Sequence, residues 1–173
     1  MHGQTKTQNA TSASDPGVRP GEGLMRLEDF LPHQLNVLSS LVSQALSRVY
    51  SARYGIGIPE WRVLVTLGEG GTMSGKSVGM QTHMHKTKVS RAVAQLEARK
   101  LVERRANEAD LRESLLSLTP EGLAIYREAA PIALAFTQRL AEVVAPDDRA
   151  AFDRAIARLT KRSAELAAEF DKP

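Results

Sequence analysis

Residues 84–105 read MHKTKVSRAVAQLEARKLVERR, a short run in which basic residues, hydroxyls and an apolar stripe are interleaved. A helical wheel of about 100° per residue puts Val89, Ala92, Val93 and Leu96 on one side, the side that faces a core. Thr87, Ser90, Arg91 and Ala94 fall opposite, with Lys88 and Gln95 at the flank. No bulky apolar residue interrupts that outer face. Such a surface suits entry into a DNA major groove: Arg and Lys donate to guanine, Gln pairs with adenine, and Ser or Thr reaches bases or phosphates. The competing reading is a merely solvated helix face.

Charge separates the two readings in part. Between Lys76 and Arg112 lie nine Lys and Arg against four acids, a local charge of +5 in a chain whose net charge is only +3. A basic patch confined to one segment is the electrostatic footprint of a phosphate binder. The length of 173 residues and the 42% hydrophobic content allow one domain with an extension. The absence of cysteine excludes disulfides, thiolate nucleophiles, Cys-ligated zinc and thiol redox sensing. No apolar run is long enough for a membrane span, and no secretory leader is recognisable, so the expected compartment is the cytoplasm.

Outward from this run, the chain punctuates itself. Residues 1–23 are polar and rich in Thr, Ser, Gly and Pro, and read as a disordered tail before a domain over 24–173. Pro32 marks a helix start, and Leu31, Leu35, Leu38, Val42, Ala45, Leu46 and Val49 describe an amphipathic helix ending at Gly55. A second helix opens at Pro59, carries Trp61, Leu64, Val65 and Leu67, and closes at Gly70-Gly71. A short helix over 74–82, a turn at Thr82-His83-Met84-His85 and a helix over 86–100 form a helix-turn-helix. The stretches LVERRA and SLLSL read as strands around an Asn-Glu-Ala-Asp turn. Thr119-Pro120 caps a further helix running to about Ala145, and Pro146-Asp147 opens the last one. That last helix repeats Phe152, Ile156, Leu159, Ser163, Leu166 and Phe170 at steps of four and three, a seam that calls for a partner helix or for packing within one subunit. The fold class is therefore mainly α with a small β-hairpin wing.

KTKVSRAVAQLEARKLVERR…DLRESLLSLTPEG resembles the winged helix-turn-helix core of the MarR family of bacterial transcription regulators. Asp110, Arg112, Leu118 and Thr119 match its wing motif. IPEWRVLVTL is similar to the family's second helix and LTPEGLAIY to the start of its fifth. The likeness covers roughly Leu31 to the end of the chain. It implies a DNA-binding lobe at about 59–118, flanked by dimerisation helices at about 31–54 and 120–171. It also implies a homodimer on a pseudo-palindromic operator, acting as a repressor of transcription. On this reading Lys86, Thr87, Lys88, Ser90, Arg91, Gln95 and Arg104 are DNA contacts. Arg112 is the minor-groove arginine and Asp110 its orienting partner. Two positions depart from the family pattern: Leu111 stands where many relatives carry a second wing arginine, and His83 where a turn glycine is common.

Many relatives bind a small effector in a crevice between the dimer helices and the DNA-binding lobe. The residues corresponding to that crevice are Asn36, Ser40 and Ser43 on the first helix and Trp61, Arg62 and Val65 on the second. Trp61 also fits simple core packing. The run MHKTKVSRAV is similar to members that govern degradation of aromatic acids, which implies an aromatic carboxylate or its coenzyme A thioester as effector. His83 and His85 are half of a metal site at most, and no metal or cofactor is expected. There is no Gly-rich phosphate loop, nucleophile elbow or His-Glu metal motif, so no enzyme is expected. The alternative function is a ligand-indifferent architectural DNA-binding protein, which would bind all sequences alike.

Overall fold

A computed structural model describes residues 25–108, 110 and 112–170. The chain forms two units, divided between Leu41 and Val42. In the first, a 3-10 turn at Leu27–Asp29 precedes helix α1 (Leu31–Tyr54), which starts in this unit and ends in the second. Arg26 pairs with Glu28 and, at 3.7 Å, with Asp29, and Gln34 donates to the carbonyl of Glu28. Leu31, Leu35, Val37, Leu38 and Leu41 are all exposed here. The polar tail over 1–23 lies outside the described residues.

The second unit continues from α1 through α2 (Ile58–Gly70), β1 (Met73–Ser74), α3 (Gly75–Thr82), α4 (Lys86–Ala98), β2 (Val102–Ala106), β3 (Ser114–Leu118), α5 (Pro120–Ala141) and α6 (Pro146–Phe170). The glycine stops fall where the chain needs left-handed backbone: Gly55 at φ +60° ends α1, and Gly71 at φ +71° ends α2. Ser74 caps α3 by accepting the Ser77 N–H, and Thr119 caps α5 by accepting that of Gly122. The core draws Val63, Leu64 and Leu67 from α2, Val78 from α3 and the apolar stripe of α4. Leu101, Val102 and Leu116 close it from the sheet side, and Tyr50 and Ala129 from α1 and α5.

Two differences from the sequence reading stand out. The wing is not an isolated hairpin: β1 pairs antiparallel with β3, giving a three-stranded sheet in the order β1-β3-β2. Two residues, Met73 and Ser74, are too few to display an alternating pattern. Helix α5 stops at Ala141, four residues before the expected end, and a turn leads to Pro146. It also runs through Pro131, which removes one N–H from its ladder. Helix α6 buries none of its residues, so its apolar seam is open along its whole length.

Candidate nucleic-acid interface

Helix α4 is oriented by its own stripe. Val89, Ala92, Val93 and Leu96 are 4%, 1%, 1% and 0% exposed, as the wheel requires. With that side fixed in the core, Lys86, Thr87, Lys88, Ser90, Arg91, Ala94 and Gln95 are all exposed. The turn before α4 is tight. A Cβ on Gly79 would lie 3.3 Å from the Met84 carbonyl, tighter than an ordinary contact, so α3 and the turn approach closely there. His83 takes φ +52°, ψ +32°, the left-handed region in which a glycine is at ease. His85 caps α4, its Nδ1 accepting the Thr87 N–H at 3.4 Å.

The wing turn is held by backbone. Asp110 donates its N–H to the Asn107 carbonyl, Glu113 donates to that of Asp110, and Asn107 to that of Glu113. Asp110 Oδ1 accepts the Arg112 backbone N–H at 3.0 Å. The carboxylate thus fixes the main chain beneath Arg112, and the guanidinium has no acidic partner among the described residues. Leu111 lies outside the described residues.

The cations fall into two groups. Arg104 on β2 reaches Glu97 on α4 with two parallel bonds, Nε to Oε1 at 3.0 Å and NH2 to Oε2 at 3.1 Å. That hydrogen-bonded carboxylate holds the guanidinium's pKa above its ordinary value. Arg105 pairs with Glu103. Lys76, Lys86, Lys88, Arg91 and Arg112 have no ion-pair partner among the described residues, and all are exposed. A groove of about 780 Å³ runs between α3, the first half of α4 and the wing. Met84, Val89 and Leu116 form its floor, and Lys76, Lys86, Arg104 and Arg112 stand on its rim. Lys76 and His83 also line this groove, which the face of the second helix alone does not reveal in the sequence. A helix-turn-helix brings its first helix beside the second, which was the available signal.

A family model described as the MarR family matches residues 54–113. A curated relative, the uncharacterized HTH-type transcriptional regulator YwoH of Bacillus subtilis (strain 168), is 30% identical over 122 residues, covering 70% of this chain and 88% of that protein. The chain belongs to the MarR family of transcriptional regulators. Solved structures agree in fold. A MarR/EmrR family regulator from Acinetobacter sp. ADP1 matches with a TM-score of 0.75 at 23% identity, over 82% of this chain and 99% of its own. BpsR of Bordetella bronchiseptica, whose DNA binding is regulated by 6-hydroxynicotinic acid, matches with a TM-score of 0.62 at 25% identity, over 73% and 98%. As a MarR-family regulator the chain is a DNA-binding protein of transcription, not a member of an enzyme family.

The expected effector residues divide between the two units of this MarR-family chain. Asn36 and Ser40 are exposed on the first part of α1, and Ser43 is half-buried on the second. Trp61, Arg62 and Val65 share a shallow depression of about 280 Å³ with Thr66, Gln81 and Thr82. Trp61 is itself core. It is 7% exposed and stacks on Tyr50, ring centroids 4.9 Å apart and planes 13° from parallel. Burial pushes the Tyr50 phenol above its ordinary pKa. Among the described residues no three His, Asp or Glu side chains cluster to hold a metal ion, and no helix is long and apolar enough to cross a membrane.

Proposed function

We propose that the chain is a homodimeric, sequence-specific repressor that reads a pseudo-palindromic operator and is released by a small aromatic acid or its coenzyme A thioester. The observation that carries the reading is the face of α4. Its apolar stripe is consumed by the core, and Lys86, Lys88 and Arg91 stand exposed with no acid paired to them among the described residues. Thr87, Ser90, Arg91 and Gln95 read base edges in the major groove, while Lys86 and Lys88 hold phosphates. Arg112, exposed above a turn fixed by Asp110, enters the flanking minor groove, where negative potential is concentrated at A·T-rich sequence. Arg104 supports the wing through its paired bonds to Glu97. The exposed seam of α6 and the apolar first part of α1 supply the dimer contact.

The effector reading rests on Trp61, Arg62 and Val65 sharing one depression. An indole, an apolar side chain and a cation suit an aromatic body with a carboxylate. The regulation of BpsR by an aromatic acid is the precedent among similar folds. Release requires that the ligand bind one conformation more tightly than the other.

The test is binding to DNA upstream of the chain's own gene and its neighbours, against random DNA, with aromatic acids and thioesters added. One fragment should be preferred, and a ligand should weaken that binding. Arg91→Ala should cost about 1–3 kcal/mol on the preferred fragment if Arg91 reads a guanine. Equal affinity for every fragment would leave the architectural alternative standing in place of the repressor.

A further inference from the structure

Arg99 is the residue immediately after α4, and its guanidinium does not point toward the groove side of that helix. NH2 donates to the Tyr54 carbonyl at 2.6 Å and NH1 to the Gly55 carbonyl at 2.9 Å. Tyr54 is the last residue of α1, and Gly55 turns the chain away at φ +60°. The last carbonyls of a helix have no partner within it and carry the negative end of the helix dipole. A planar guanidinium, with donors spaced as a fork, bridges two adjacent carbonyls in one pose; an ammonium would offer a point charge without that geometry. The bond therefore ties the C-terminal end of α4 to the C-terminal end of α1, across 44 and 45 residues of sequence. One residue earlier, Arg53 pairs with Glu128 on α5. The last turn of α1 is thus a junction at which α4 and α5 are both fastened.

We infer that Arg99 is a positioning residue for operator recognition: it fixes α4 against the end of α1 and so sets the separation of the two recognition helices in the dimer. The inference rests on the homodimeric reading above, in which α1 belongs to the subunit contact and α4 to the DNA contact. Arg99 is exposed, so it contributes little to the core. Loss of the fork leaves the folded lobe intact while freeing one end of α4 to pivot. A protein whose two recognition helices are rigidly spaced accepts one half-site separation; one with a loose pivot accepts several.

The experiment uses the full chain and a site selected by the parent protein from a random DNA pool, remade with one base pair added to or removed from its centre. Affinities of the parent, Arg99→Ala and Arg99→Lys are compared on the three DNAs, with dimer mass and thermal midpoint measured alongside. In both variants the parent's preference for its own spacing should fall by about five-fold or more, the lower end of coupling between distant sites. Arg99→Lys guards against a poorly folded Arg99→Ala, because it keeps the charge and length but not the fork. Restoration of full affinity and spacing preference by Arg99→Lys would make Arg99 a phosphate contact and overturn the inference. A loss shared equally by all three DNAs would show a purely stabilising role and overturn it as well. A parent that selects no site overturns the regulator reading itself, and the role of Arg99 with it; a parent with a preferred spacing that both variants keep overturns the role of Arg99 alone.

Discussion

His83 at φ +52° and Lys100 at φ +58° carry left-handed backbone without being glycine, and they bracket α4. A Cβ in that region meets the following carbonyl at a cost of about 1–2 kcal/mol. Replacement by glycine removes that cost but adds freedom to the unfolded chain, so the net gain is smaller. Lys100→Gly and His83→Gly should each stabilise the protein by about 0.5–1 kcal/mol, raising the thermal midpoint by about 1–4 °C. A lower midpoint in both would mean that the turns do not hold these angles in solution. At this scale the sequence was most legible on α4, because one helix with one apolar stripe leaves a single way to face the core. It was least legible at Arg104. Nothing in the spacing of basic residues showed that its guanidinium would meet Glu97 on another element. Arg99 was hidden for the same reason, since its acceptors are backbone carbonyls 44 and 45 residues away.

Elements meet most closely where α5 starts. Thr119 Oγ1 donates to the Lys100 carbonyl at 2.7 Å and accepts the Gly122 N–H at 3.1 Å, so one hydroxyl caps α5 and pins it to the end of α4. A Cβ on Gly122 would stand 2.0 Å from the Leu101 carbonyl oxygen. Backbone cannot yield there without moving α5 off the sheet. Gly122→Ala should therefore destabilise by about 2–3 kcal/mol, as overpacking does in a filled core, read from the midpoint of urea unfolding. A change under about 0.5 kcal/mol, the range of ordinary surface substitutions, would show that the approach is looser than drawn. The elements the sequence revealed were those with a chemical signature at their ends: Gly55, Gly71 and the Thr119-Pro120 cap. Strand β1 had none. It exists because β3 offers it a free edge, a fact of tertiary structure that two residues do not encode. The end of α5 was misplaced because the apolar pattern runs on through Val143 and Val144, past the point where the helix stops.

For the whole molecule, the open question is what covers α6. Phe152, Ile156, Leu159 and Leu166 are 43%, 41%, 38% and 38% exposed and lie on one seam, while every residue of the helix is open to solvent. Burial of such side chains is worth about 1.5–3 kcal/mol each when complete. A second copy offers an identical seam, and a two-fold axis makes it self-complementary. The same axis would set two copies of α4 about 34–36 Å apart, one turn of DNA, so that both halves of an operator are engaged together. Dimerisation and specific affinity should then fail together. A chain carrying Ile156→Glu and Leu159→Glu places two carboxylates per subunit on the seam, close to their counterparts across the axis. It should run as a monomer in light scattering at micromolar concentration and keep its helical circular dichroism, because neither side chain is part of the core. Its affinity for the preferred DNA should drop by about 10²–10⁴, the advantage that a linked second site confers, whereas its weak, salt-sensitive binding to random DNA should fall far less, since the basic surface from Lys76 to Arg112 is untouched. A variant that stayed dimeric would remove α6 from the subunit contact. A true monomer with undiminished specific affinity would show that one lobe suffices, and the pseudo-palindromic operator would fall with that result.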